Sequence, residues 1–218
     1  MTFRLTKIDE LTIGQHYHLD ASDTCFFFGE YTARKGFGFS ETNQLIHNLK
    51  KSVEKRGSYE YRYKGKAINK IAQMLVGITN LKDLTFVPIP PSKCHEDPLY
   101  DGRMIEVLES AKRINADIDY RELVRQRESR AASHNSEVRQ TPEEIASNYI
   151  FERSQAQSLR KMIVIFDDVL TAGSHYKAMK AVIRTHLPES VIVGLFVART
   201  AREAEIDWFE DLDESDEF

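Results

Sequence analysis

Cysteine is scarce in this sequence. Only Cys25 and Cys94 occur among 218 residues, far apart and outside any CxxC spacing. Two such residues support neither a disulfide framework nor a zinc ribbon. We therefore expect a protein of a reducing compartment whose stability comes from a packed core.

Long hydrophobic runs are also lacking. No window approaches 18 consecutive apolar residues, and the first eleven residues, MTFRLTKIDEL, have neither the basic start nor the apolar stretch of a signal peptide. The sequence therefore predicts no membrane-spanning helix, no membrane partner and a cytoplasmic location.

No charge of one sign dominates. Lysine and arginine together number 30, aspartate and glutamate 34, and the formal net charge is −4. This balance argues against nucleic acid as a partner. A local basic patch at Lys50, Lys51, Lys55 and Arg56 is typical of either a polyanion contact or the solvated face of a helix.

Apolar residues make up 41% of the chain, enough for a sizeable core, and their spacing alternates between two periods. Continuous apolar runs predict strands, and spacings of three and four residues predict helices between them. The alternation predicts an α/β fold, in which a central, mainly parallel β-sheet carries helices on both faces. The strands are expected in LTFVPIPPSK (84–93), at 162–166 and in SVIVGLFVA (190–198), and the helices at 43–53, 66–77, 101–114 and 174–186.

The middle of the chain has weaker signals. Residues 118–124 are a weaker strand candidate, and the charged stretch 125–140 has no clear period, which predicts a long mobile loop. A threonine cap, a proline and two acidic residues at 141–144 predict a short helix over 141–149.

These signals divide the chain into three parts. Residues 1–60 are expected to form a small, β-rich N-terminal hood packed on the core. The core itself is expected at 61–200, and the acidic segment 201–218 is expected to be a frayed tail.

The most informative stretch is MIVIFDDVLTAGSH, residues 162–175. An apolar strand is predicted to end on Asp167 and Asp168, and a turn with Thr171, Gly173 and Ser174 then leads into a helix. Ligands of parallel sheets bind at the carboxyl ends of strands, and glycine-containing turns at helix N-termini bind phosphate. Because two carboxylates would repel a phosphate, they should face sugar hydroxyls or a hydrated Mg²⁺. Together these requirements describe a ribose 5-phosphate.

Other interpretations of the two aspartates were compared with this one. A P-loop ATPase also carries acidic residues after an apolar strand, but no GxxxxGK[ST] precedes them here. A DxDxT phosphatase needs its second carboxylate where this chain has Val169. A purely structural interpretation, in which Asp168 or Thr171 caps the next helix and Asp167 is solvated, stays open.

FDDVLTAGS (166–174) resembles the phosphoribosyl pyrophosphate (PRPP) signature of type I phosphoribosyltransferases. The resemblance implies that Asp167 and Asp168 are catalytic residues that hold the ribose 2′ and 3′ hydroxyls and contact Mg²⁺ indirectly, through pyrophosphate. The implied substrate-binding positions in the signature are Val169, Leu170, Thr171, Ala172, Gly173 and Ser174.

Further positions follow from the same resemblance. VPIPPSK resembles the first core strand and pyrophosphate loop, which implies pyrophosphate contacts from Pro91, Ser92 and Lys93. Residues 125–140 fall where the family has its flexible catalytic loop, which implies roles for Arg127 and Arg130. Arg103, in the DGR stretch, is a further candidate phosphate ligand. Lys93 and Arg103 could equally be solvated surface charges. Each loop arginine taken singly is better explained as a solvated charge, whereas the arginines together favour a functional loop.

Within the family, the order of these motifs most resembles the branch of bacterial competence-associated phosphoribosyltransferase-like proteins. That branch often begins with a four-cysteine zinc module, which the two cysteines of this chain cannot supply. His16 and His18 form an HxH pair, but they lack nearby ligand partners in sequence and predict no metal site.

The resemblance implies a glycosyltransferase of nucleotide metabolism. Such an enzyme would bind Mg²⁺-PRPP, transfer the phosphoribosyl group to a nitrogenous base or amine, and release pyrophosphate. Its ligands would be PRPP or a nucleoside 5′-monophosphate together with an unidentified acceptor, and a homodimer is compatible with the fold. The alternative is a non-catalytic sensor or interaction protein that binds PRPP or a nucleotide on the same fold.

Overall fold

A six-stranded sheet forms the centre of the protein. The computed structural model describes residues 3–129 and 140–201. The sheet strands are β1 (Thr6–Lys7), β2 (Cys25–Thr32), β3 (Leu84–Pro88), β4 (Asp119–Tyr120), β7 (Met162–Leu170) and β8 (Val191–Ala201). Their order in the sheet is β1-β2-β8-β7-β3-β4, and in the described residues β1 is antiparallel to β2 while the other neighbouring pairs are parallel.

Helices cover both faces of this sheet, and two short strands form a separate antiparallel pair. The pair joins β5 (Val124–Gln126) to β6 (Tyr149–Phe151). The helices are α1 (Glu10–Ile13), α2 (Glu41–Leu49), α3 (Arg62–Val76), α4 (Arg103–Ile114), α5 (Pro142–Ala146) and α6 (Ser174–His186). The predicted class, an α/β fold with a mainly parallel sheet flanked by helices, is confirmed.

The core has one apolar cluster on each face of the sheet. Helices α2, α3 and α4 pack their buried residues on the first face, where Phe86 and Phe166 of the sheet meet edge to face. Helices α5 and α6 pack on the second face, against Ile163 and Ile165. From Ile163 to Phe166, alternate residues of β7 therefore enter different clusters, as the two-residue period of a strand predicts.

The N-terminal sixty residues contribute to the main sheet. Strand β2 pairs in parallel with β8 from Cys25 to Thr32, and Phe27 and Phe28 of this strand are buried. Buried Asn43 in α2 accepts the Thr32 backbone N–H and donates to the Thr32 carbonyl. The sheet thus runs across the predicted boundary at residue 60, although the three-part division of the chain stays a prediction.

Two local expectations were wrong. Strand β7 continues through Asp167 and Asp168 to Leu170, because its pairing with β8 extends to the partners Leu170 and Arg199. The stretch 125–140 begins in a strand, since Arg125 and Gln126 pair with β6. Residues 130–139, which carry the rest of the predicted loop, lie outside the described residues, as does the predicted tail from residue 202 onward.

Other elements agree with the sequence pattern. Helix α6 occupies 174–186 as predicted. Helix α5 begins with a capping box between Thr141 and Glu144, but it ends at Ala146 rather than at the predicted residue 149, because Tyr149 opens β6. Of the weak strand 118–124, only β4 joins the main sheet. In the described parts of the chain, no helix combines the length and apolarity that crossing a membrane requires.

Candidate functional site

The two aspartates lie near the carboxyl end of β7, in the middle of the sheet. Strand β7 continues past both of them to Leu170, and the Asp168 carboxylate contacts Lys50 and Arg103 from the helices of the first face. The simple alternation between the two core clusters is not kept beyond Phe166, since Val169 joins the first cluster and Leu170 the second. The predicted end of the strand on the two aspartates is therefore wrong, since β7 ends at Leu170.

Asp168 is buried in a cluster of charges. The Arg103 guanidinium donates to its Oδ2 from Nε at 2.9 Å and from Nη2 at 2.6 Å, and Lys50 Nζ lies 3.0 Å from Oδ1. Lys50 follows the last residue of α2, and Arg103 is the first residue of α4. Two helices of the first face thus supply the cations for one strand carboxylate.

The cluster extends to a second carboxylate. Arg103 Nη1 donates to Asp101 Oδ2 at 2.9 Å, and the buried Lys64 Nζ lies 2.7 Å from each Asp101 oxygen. Lys64 also donates to the Lys51 carbonyl at 3.0 Å. If Asp167 is left out of the count, the cluster contains three cations, Lys50, Lys64 and Arg103, and two carboxylates, Asp101 and Asp168.

The two aspartates differ in the direction of their pKa shifts. Burial, and then the neighbouring Asp168 carboxylate, raise the pKa of Asp167 to about 7. Burial alone would also raise the pKa of Asp168, but Arg103 and Lys50 outweigh it and hold the pKa of Asp168 below its ordinary value. Asp168 is thus an ionised anchor, and Asp167 is the carboxyl group that titrates near neutral pH.

Asp167 differs from Asp168 in accessibility too. It is half-buried, and its Oδ1 accepts the Asp168 backbone N–H at 2.7 Å. Among the described residues, no lysine or arginine forms an ion pair with it. Of the two carboxyl groups, Asp167 is therefore the one able to accept a hydrogen bond from a ligand.

The turn after β7 has a backbone conformation suited to binding an anion. Gly173, at the N-cap of α6, has φ of 89°, and no side chain caps the helix. The first turn of a helix leaves N–H groups without intrahelical partners, and these groups attract anions. Thr171 is exposed, and Ala172 and Ser174 are half-buried.

The predicted contacts of Val169 and Leu170 must be made by their backbone. Both side chains are buried, with Val169 in the first core cluster and Leu170 in the second. A ligand at the carboxyl edge could contact their peptide groups only.

The PPSK loop, residues 90–93, begins beside the aspartates. Pro88 pairs with Phe166, and the Ile89 N–H donates to the Phe166 carbonyl at 3.0 Å. The loop residues Pro91, Ser92 and Lys93 are half-buried, and Lys93 Nζ lies 3.6 Å from Asp97 Oδ2. The sheet thus brings this loop to the same edge as Asp167.

The beginning of the candidate catalytic loop (125–140) contacts the residues that follow the PPSK loop. Ser129 Oγ donates to Asp97 Oδ2 at 2.6 Å and accepts the Cys94 N–H at 3.1 Å. The Arg127 side chain is exposed, and its backbone N–H donates to the Asn148 carbonyl. Arg130 lies outside the described residues.

Direct metal binding is not favoured by this arrangement. Within residues 3–129 and 140–201, no group of three or more His, Cys, Asp or Glu side chains is placed to hold a metal ion. Mg²⁺ commonly binds through one or two carboxylates together with substrate phosphates. The residues present fit a Mg²⁺ ion that arrives with a phosphorylated ligand.

Sequence reasoning named Lys50 and Arg103 but missed their pairing with Asp168, and it missed the Lys64–Asp101 pair beside them. Lys50 belonged to the predicted basic patch, in which the structure instead pairs Lys51 and Lys55 with Glu60. Lys64 and Asp101 were not singled out. A lysine on the apolar face of an amphipathic helix, where Lys64 lies, was the available signal.

The comparisons with known proteins give no family for this chain. No protein-family model matches it, and no curated protein matches it.

Proposed function

We propose that this protein binds the phosphoribosyl group of Mg²⁺-PRPP at the carboxyl edge of β7 and transfers it to a nitrogenous base or amine. The observation that carries the proposal is the placement of Asp167, which forms no ion pair with a described residue, between a helix N-terminus without a side-chain cap and the PPSK loop. Sugar hydroxyls, a 5′-phosphate and a pyrophosphate would each find a chemically suitable partner there.

The two aspartates would have different roles in this reaction. Asp167 would accept hydrogen bonds from the ribose hydroxyls. Mg²⁺ would arrive with pyrophosphate and neutralise the charge of the pyrophosphate. Asp168 would hold Arg103 and Lys50 in place rather than touch the sugar. Departure of pyrophosphate leaves positive charge on the ribose ring, which an ionised Asp167 would stabilise.

A second candidate function is binding of PRPP or a nucleotide without catalysis. It is favoured by the engagement of two cations expected to bind phosphate, because Arg103 contacts Asp168 and Lys93 lies near Asp97. A transferase would have to release at least one of them when the ligand binds.

Calorimetric titration of Mg²⁺-PRPP tests the shared part of both functions. We expect saturable binding by the wild type and a loss of about tenfold or more in affinity for Asp167→Asn, because a hydrogen bond to a charged group contributes about 1.5–3 kcal/mol. Asp83→Asn is the matched control, since Asp83 precedes β3 at the opposite edge of the sheet, where it pairs with Lys161. Its affinity should equal that of the wild type.

A pyrophosphate-release assay then separates the two functions. Release that depends on an added base or amine would support the transferase and identify the acceptor class. Binding without release for any acceptor in the panel would favour the sensor. Absence of binding at millimolar PRPP would contradict both.

A further inference from the structure

Residues 15–23, here called the N-terminal strap, lie against the turn that follows β7. The buried His16 places Nδ1 2.5 Å from the Thr171 carbonyl oxygen, and the His18 backbone N–H donates to the Ala172 carbonyl at 2.8 Å. A carbonyl can only accept, so His16 carries its proton on Nδ1 in this contact. The strap thus holds two consecutive carbonyl groups of the turn.

Holding a carbonyl also orients the amide that follows it. In a trans peptide the C=O and the next N–H point in opposite directions, and the described backbone has no cis peptide bond. The N–H groups of Ala172 and Gly173 therefore point away from the strap. Successive N–H groups beside a left-handed residue, here Gly173, form a concave anion-binding nest.

The strap is itself fixed to helix α6. Lys177 Nζ lies 2.7 Å from Asp20 Oδ2 and 2.8 Å from Asp23 Oδ2, and Lys180 pairs with Asp23, whose side chain is fully buried. Leu19 packs against Gly173 so closely that a Cβ there would meet Leu19 Cδ2 at 3.1 Å. The strap, the turn and the first two turns of α6 form one connected unit.

We propose that His16 is a positioning residue, whose Nδ1–H orients the peptide between Thr171 and Ala172 so that the Ala172 amide binds the phosphate monoester of the ligand. This inference rests on the proposed function for the identity of the ligand. His16 acts through the Thr171 carbonyl and does not touch the phosphate. The peptide is held in its binding orientation before the ligand arrives, which reduces the ordering cost of binding.

Ribose 5-phosphate is the probe, because it carries the monoester without pyrophosphate. His16→Leu removes the donor, whereas His16→Asn places an amide N–H near the position of Nδ1 and His16→Gln places it near Nε2. We expect His16→Leu and His16→Gln to weaken binding about tenfold or more and His16→Asn to recover most of it. His18→Ala is the matched control, because it removes an imidazole from the strap but keeps the backbone bond to Ala172.

Amide NMR gives a readout that a general packing role would not change. Titration of ribose 5-phosphate into the wild type should shift the Ala172 and Gly173 amide signals, and these shifts should shrink in His16→Gln while the remaining spectrum stays native. Equal affinities of His16→Asn and His16→Gln would overturn the role of His16 and leave the proposed function standing. Absence of wild-type binding to both ribose 5-phosphate and Mg²⁺-PRPP would overturn the proposed function and this inference with it.

Discussion

Asp167 and Asp168 are neighbours in the chain but differ in their charge environments. Asp168 has two cations within 3.0 Å, whereas Asp167 has a backbone N–H as its hydrogen-bond partner. A buried carboxylate with cations is held ionised, and a buried carboxyl group without them favours its proton. A tandem acidic pair that looks symmetric in sequence is therefore asymmetric in chemistry.

This asymmetry predicts a pH-dependent effect of Asp167→Asn on stability. The folded pKa of Asp167, about 7, lies above the value of about 3.9 for an unfolded aspartate. Its contribution to stability is therefore fully present below the unfolded pKa and is lost as the pH rises through the folded pKa. Because asparagine stays neutral and keeps the acceptor, we expect the variant to gain stability relative to the wild type between about pH 4 and about pH 7.

Urea unfolding of both proteins across this window provides the measurement. Each pKa unit of difference between the folded and unfolded states corresponds to about 1.4 kcal/mol. A difference in the free energy of unfolding that does not change with pH would contradict the raised pKa.

Among the elements, the turn between β7 and α6 depends most on one residue type. Gly173 has φ of 89°, and a Cβ at this position would also press on Leu19. A non-glycine residue in the left-handed region costs about 1–2 kcal/mol. Glycine at this position therefore meets two requirements: it adopts the left-handed backbone of the turn, and it leaves room for Leu19 of the N-terminal strap.

Replacing Gly173 should therefore lower stability more than replacing a glycine whose backbone conformation and surroundings accept a Cβ. We expect Gly173→Ala to lower the free energy of unfolding by at least about 1 kcal/mol and to weaken ribose 5-phosphate binding. Gly14→Ala is the matched control, since Gly14 has φ of −62° and its Cβ would meet nothing within 4 Å. The control should be neutral or slightly stabilised, and equal unfolding curves for the two variants would refute the argument.

For the whole molecule, the main question is whether the N-terminal residues are an accessory part. Strand β2 covers one side of β8, and α2 carries Lys50 to Asp168. Removing both would expose the long apolar β8 as an edge strand, which favours aggregation. It would also leave Asp168 with fewer cations.

We therefore expect residues 61–218 expressed alone to be insoluble or to lack a cooperative unfolding transition. Circular dichroism on heating, together with sedimentation velocity, would detect either result in comparison with the full chain. A monomeric fragment with a cooperative transition near the wild-type Tm would instead support an independent core beginning near residue 61.

The sequence by itself located the longer helices and the central parallel strands and gave their order. Apolar periodicity located α6 at 174–186 and the central strand β8, and the Thr141 capping box marked the start of α5, because these signals are local. The sequence also pointed to FDDVLTAGS as the stretch to examine, since adjacent carboxylates followed by a glycine turn are chemically unusual.

Only the tertiary structure decided how that stretch is used. Pairing with β8 carried β7 past the aspartates, and distant parts of the chain supplied Lys50, Arg103 and His16 to the strand and its turn. Local periodicity contains no information on which helix end meets which strand. The charge state of each aspartate and the orientation of the turn depend on those long-range contacts, so they followed from the fold alone.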